Sequence, residues 1–164
     1  MAENSPFRSA FSWDPTRPHI LVIACSDGRL QEPTDEFLAE SLGIRQYDRL
    51  YMPGGGGALS ASGKEYLRAQ QARRECRFLV EAHGVEDIIL LFHGPASDGP
   101  PDAMCADYRR KLPSLAVSKL RSQQEQDADD LLRGREEWAG SATIRAFRCE
   151  TCADGGLRFV ALAD

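Results

Sequence analysis

The sequence predicts an α/β protein: a mixed, mainly parallel sheet flanked by helices and ending in a C-terminal antiparallel hairpin. Three observations carry that expectation. Short continuous apolar runs, HILVIA at 19–24 and DIILLF at 87–92, are the habit of strands buried on both faces. Segments with three-and-four apolar spacing lie between the strand candidates, which implies parallel pairing through right-handed crossovers. Two last strand candidates, 143–149 and 157–162, flank a turn containing Asp154-Gly155-Gly156, a hairpin signal.

The elements follow in order. Residues 1–17 are polar, interrupted by prolines, and read as an irregular N-terminal arm. The first strand, 19–24, ends in Cys25-Ser26-Asp27-Gly28-Arg29. Phe37, Leu38 and Leu42 give a helix over 34–42, with Gly43 as its C-cap. A second strand, 47–52, stops at Pro53 and the glycine run 54–57. Tyr66, Ala69, Ala72, Cys76, Leu79 and Val80 mark one face of a long helix from about Ser62 to His83, ended by Gly84. The third strand ends at His93, and Gly94 to Pro101 is a loop on composition. Helical signal runs from Ala103 to Leu132 with a break at Pro113. The charge-rich stretch 121–137 reads as a solvated helical face.

Length and charge bound the function. At about 150 residues per domain, the 164 residues make one domain, 1–164. Twenty basic against twenty-five acidic residues leave a net charge of −5, which excludes the broad footprint of a general nucleic-acid binder. No apolar run approaches the roughly 18 residues that span a bilayer, so no membrane partner is expected. The N-terminus lacks an apolar signal core, and five cysteines are an odd number, so thiols or metal ligands in a reducing cytoplasm are expected rather than a disulfide framework.

Cys25 ends the first strand and His93 the third. If those strands are parallel neighbours, both side chains emerge at one sheet edge, where ligands of open α/β sheets gather. A thiolate and an imidazole suit zinc. The bland alternative is a buried thiol and a histidine satisfied by a backbone carbonyl. Asp27 beside Arg29 stays ionised. It could accept a hydrogen bond from a metal-bound water, ligate the metal itself, or be a turn ion pair worth about 0.2–1 kcal/mol.

Cys25-Ser26-Asp27-Gly28-Arg29, the glycine run, a helix, a buried strand and His93, in that order, resemble a β-class carbonic anhydrase over roughly residues 19–110. That family carries Cys-x-Asp-Ser-Arg after its first strand and His-x-x-Cys after a later one. The resemblance implies zinc held by two cysteines and a histidine, an Asp27–Arg29 dyad that orients a zinc-bound hydroxide or releases the aspartate as fourth ligand, carbon dioxide and bicarbonate as substrate and product, and a homodimer or higher homo-oligomer. The pattern departs at two places. Gly28 replaces the serine, and Ala96 stands where the second cysteine belongs. The next cysteine is Cys105, twelve residues beyond His93. An insertion would let it serve as the third ligand, a helix start favouring its thiolate. It could equally pack in the first turn of its helix.

Other motifs carry less. Cys149-x-x-Cys152 is a lone pair, readable as half a metal site or a redox couple. Cys76 reads as core, and His83 as a helix-end residue placed against the dipole. The glycine run is not a phosphate loop, because the residue after Gly63-Lys64 is Glu65; it reads as backbone passing close to the site or to a dimer partner. The leading expectation is a zinc lyase hydrating carbon dioxide, or a heterocumulene such as carbonyl sulfide or carbon disulfide. The alternatives are a catalytically inactive metal-binding or assembly module and, last, a thiol enzyme using Cys25.

Overall fold

The computed structural model describes residues 6–163. Five strands, β1 (Ile20–Ala24), β2 (Asp48–Tyr51), β3 (Asp87–Pro95), β4 (Thr143–Thr151) and β5 (Leu157–Ala163), form one sheet in the order β2-β1-β3-β4-β5. All neighbours are parallel except β4 and β5, the antiparallel hairpin. This is the mixed, mainly parallel sheet the sequence predicts. Helices α1 (Gln31–Glu36), α2 (Tyr66–His83), α3 (Ala106–Lys111) and α4 (Leu120–Arg133) flank it.

The apolar runs are continuous because both sheet faces are covered. Leu21, Ile23, Ile88, Leu90 and Phe92 pack with Cys76, Leu120 and Trp138 on one face. Val22, Ala24, Ile89 and Leu91 pack with Leu38 and Ile44 on the other. Alternation along a strand sends successive side chains to opposite layers. Full burial of each large aliphatic side chain is worth about 1.5–3 kcal/mol.

Several boundaries differ from those predicted. The 34–42 helix starts at Gln31 and ends in a π-helical turn over Phe37–Ser41. Helix α2 begins at Tyr66, not Ser62, because Lys64 N–H is drawn to the carbonyl of Lys111 (3.1 Å) before the helix can start. Strand β3 runs on to Pro95, since β4 pairs with it through Gly94–Glu150 and Pro95–Thr151; turn-rich composition at 94–101 masks that pairing. The break expected at Pro113 within 103–132 is present and wider than one residue, since α3 ends at Lys111 and α4 starts at Leu120. The stretch 121–137 is not a solvated face throughout, because Gln124 and Asp127 are fully buried on the side of α4 that carries Leu120, Ala128 and Leu131.

Residues 6–17 are irregular and mostly bare, with Phe7, Phe11 and Trp13 at least 90% exposed. The first five residues of the predicted arm lie outside the described residues. Among the described residues no helix is long and apolar enough to cross a membrane.

Candidate metal centre

The register of β1 and β3, Ile23 opposite Leu90, brings Cys25 and His93 to one end of the sheet. Nearly seventy residues of separation vanish because the two strands are parallel neighbours. Cys105 arrives from a third direction, on the residue preceding α3. The Sγ atoms of Cys25 and Cys105 and a ring nitrogen of His93 all lie within 4.8 Å of one another. Cys105 is 1% exposed, His93 is buried and Cys25 half-buried.

Two observations test whether this trio suits a metal. Nε2 of His93 is buried and has no hydrogen-bond partner among the described residues. The bland alternative, a ring nitrogen satisfied by a backbone carbonyl, is therefore not what Nε2 does, and burying such a group unpaired costs about 1–3 kcal/mol. Two sulfurs and an imidazole are also a borderline-soft donor set of the kind that holds zinc. The residues present fit the ion.

The contact between the two thiols shifts them in opposite directions. The Cys25 thiol is pulled down, first by hydrogen bonding with the Cys105 thiol and then by the neighbouring His93 and the Gly54 N–H, against burial. Cys105 is pushed up by the same Cys25 contact and by burial. A divalent cation bound by the pair would displace the thiol protons.

The backbone around the site is crowded. A Cβ on Gly55 would lie 2.4 Å from the Leu91 carbonyl and 2.7 Å from Cys25 N. The glycine segment therefore presses against the ends of β1 and β3, the close approach its composition predicts.

In the turn after β1, Arg29 grips Asp27 with two side-chain bonds, Nε to Oδ1 (3.0 Å) and a terminal nitrogen to Oδ2 (2.6 Å). The Arg29 side-chain hydrogen bonds hold the Asp27 carboxyl at about 2. Arg29 is largely exposed and Asp27 half-buried, so the pair orients the carboxylate more than it stabilises the fold. Asp27, His93, Leu30 and Asp102 line one open cleft of about 290 Å³.

The remaining predicted residues separate from this group. Cys149 and Cys152 are three residues apart along β4 and its end. At about 3.3 Å per residue and on alternate faces they exceed the roughly 7 Å reach of a disulfide, so the redox couple has no geometry. Cys149 nonetheless sits opposite His93 in register and lines a small cavity with Cys25 and His93. Its thiol is pushed up to about 12 by burial. Cys76 is core, as predicted. His83 is held by more than the helix end, since Nδ1 meets Asp48 Oδ2 at 2.6 Å.

Sequence reading missed the buried polar groups that support the site. Gln124 Nε2 donates to the His93 carbonyl (2.9 Å), and Arg148 donates to Gln124 Oε1 (2.6 Å), Glu150 Oε1 (2.8 Å) and the Pro95 carbonyl (2.8 Å). The detectable signal was the apolar face of α4 on which Gln124 lies; nothing local marks Arg148.

A family model described as "Putative carbonic anhydrase" matches residues 16–100, just over half of the chain. The chain belongs to this carbonic anhydrase family. The match covers Cys25, Asp27, Arg29 and His93 and ends before Cys105. Among solved structures, a carbonic anhydrase from Streptococcus mutans shares the fold at TM-score 0.50 and 16% identity, over 90% of this chain and 82% of that one. A β-carbonic anhydrase from Trichomonas vaginalis aligns at TM-score 0.47 and 12% identity, over 95% and 88% of the two chains. The apo form of a carbon disulfide hydrolase aligns at 0.45 and 14%, over 85% and 77%. A search of functionally curated proteins finds no match.

Proposed function

We propose that this carbonic anhydrase-family chain is a zinc-dependent lyase that hydrates carbon dioxide, or a related small heterocumulene, in one domain spanning 1–164. Cys25, His93 and Cys105 would hold the ion. The observation that carries the reading is the convergence of two sulfurs and a His93 ring nitrogen, with Nε2 buried and unpartnered among the described residues, beside an open cleft. When bound, zinc supplies Lewis acidity and lowers the pKa of a coordinated water to about 7.

The chain's own residues do the rest. Asp27, kept ionised by Arg29, accepts the hydrogen bond of the attacking oxygen and turns a lone pair toward the substrate carbon. Arg29 holds that carboxylate in one orientation through its two-pronged grip. Gln124, bonded to the His93 carbonyl, fixes the strand end from which the imidazole projects. The cleft bordered by Leu30 and Leu157 offers an apolar wall to a small uncharged substrate. The reading carries a cytoplasmic homodimer or higher homo-oligomer with no nucleic-acid partner; sedimentation as a monomer across the micromolar range would remove the oligomer from it.

Zinc per chain in wild type and in Cys105→Ala tests the site. The expected result is near-stoichiometric zinc in the first and a marked loss in the second. Equal zinc in both would take Cys105 out of the ligand set, and no zinc in wild type would end the proposal. Stopped-flow hydration of carbon dioxide, with carbonyl sulfide and carbon disulfide as parallel substrates, then tests turnover. Flat traces across pH with zinc bound would leave a metal-binding or assembly module, the reading that Ala96 in place of cysteine favours.

A further inference from the structure

A six-residue helix has little stability of its own, and α3 carries no side-chain N-cap. Cys105, immediately before it, is nonetheless held against Cys25. The helix is fixed through its inward side chains. Lys111 Nζ donates to the Gly57 carbonyl (2.7 Å), and the Tyr108 hydroxyl to Asp127 Oδ2 (2.7 Å). Asp107, whose side chain is fully buried, accepts on Oδ1 from Arg68 (2.5 Å) and Arg110 (2.7 Å).

Arg68 does two things at once. One terminal nitrogen bonds Asp107 and the other the Pro53 carbonyl, so it joins the start of α3 to the start of the glycine segment. That segment in turn abuts the Cys25 backbone. Asp107 Oδ2 has no hydrogen-bond partner among the described residues, and a Cβ on Gly54 would sit 2.3 Å from it. The carboxylate is pressed against the segment rather than solvated. A planar guanidinium with diverging donors can span two acceptors in this way; a lysine ammonium is a point charge.

Resting on the zinc reading above, we propose that the Arg68–Asp107 pair is the positioning device that seats Cys105 beside Cys25 and His93. It does from α2 and α3 what a short His-x-x-Cys spacing would do along one chain segment, which Ala96 interrupts. Neither residue touches the ion; both act through the placement of Cys105.

The test uses the full chain with Arg68→Ala, the near-isosteric Asp107→Asn, and Arg133→Ala as a control whose ion pair lies with Asp130 at the exposed end of α4. Two quantities are read. Zinc affinity is measured by competition with a chromogenic chelator. Bridging of Cys25 to Cys105 by phenylarsine oxide is followed in metal-free protein by peptide mass. Both Arg68→Ala and Asp107→Asn are expected to weaken zinc binding about 10–100-fold, the usual cost of losing a group that orients a ligand, and to slow bridging, while Arg133→Ala changes neither. Folded variants that bind zinc and bridge like wild type would overturn the proposal, as would an equal loss in the control. A wild type that bridges but takes no zinc would sink the metal reading and leave the positioning claim to be judged on bridging alone. If Arg68→Ala does not fold, Asp107→Asn decides.

Discussion

Replacing Glu150 by alanine should be among the most damaging single changes outside the metal centre. Its carboxylate is fully buried and accepts from Arg148 (2.8 Å), Arg121 (2.8 Å) and Arg158 (2.8 Å). The three contacts differ in weight. Arg121 and Arg158 are about half exposed; losing them costs about 0–1 kcal/mol each, because water takes over. The side chain of Arg148 is 1% exposed, so its charge would be left buried, with only the Gln124 and Pro95 oxygens as acceptors. Breaking a buried pair from one side costs about 3–5 kcal/mol. For a chain of this size that corresponds to a fall in Tm of about 6–20 °C, at roughly 2–4 °C per kcal/mol. The effect should also reach the candidate metal site, since Arg148 ties Pro95 and Gln124, and Gln124 ties the His93 carbonyl. Urea denaturation of wild type and Glu150→Ala measures the loss. The double change Arg148→Met/Glu150→Leu should cost less than Glu150→Ala alone, because it removes both charges. A single-variant loss below about 1 kcal/mol, or a double change worse than the single, would refute the claim that a dry charge is at stake.

The same carboxylate predicts an acid limb. Burial pushes Glu150 up, but hydrogen bonding with Arg158 and the charges of Arg148 and Arg121 outweigh it, so the folded value is lowered from 4.5. Its contribution is present above the unfolded value and is lost as pH falls through the folded one. Urea midpoints should therefore drop on acidification below about 4.5, and that slope should flatten in Glu150→Gln; an unchanged slope would assign the acid loss to other carboxylates. Gly55→Ala should destabilise by about 1–3 kcal/mol or more, because a Cβ there meets the Leu91 carbonyl and Cys25 N at a left-handed φ of 55°; a variant within 0.5 kcal/mol of wild type by thermal melts, on the scale of a benign surface change, would contradict the crowding. Asp27→Asn should leave zinc content unchanged while carbon dioxide hydration falls about 100-fold or more. Unaltered turnover would reduce the Asp27–Arg29 dyad to a turn ion pair.

The fold and half of the candidate metal centre were legible in local patterns. Continuous apolar runs at 19–24 and 87–92 required a sheet covered on both faces, and alternation with helices required parallel strands. A parallel pair in turn set Cys25 and His93 at one rim. The CSDGR turn announced its own ion pair, because Asp27 and Arg29 are two residues apart and need no third element to meet. What the sequence could not settle is everything that depends on pairing between distant segments. Strand β3 extends through Gly94 and Pro95 because β4 lies alongside it. Cys105 reaches Cys25 because α3 is fastened to the glycine segment by Arg68, Asp107 and Lys111, and no local pattern reveals that the last two are buried charges. Gln124 and Asp127 sit in a charge-rich stretch and are dry only because α4 packs that face inward. Apolar periodicity is encoded residue by residue. The dryness of a charge, and the meeting of a twelve-residue detour with a strand end, are properties of the packed whole.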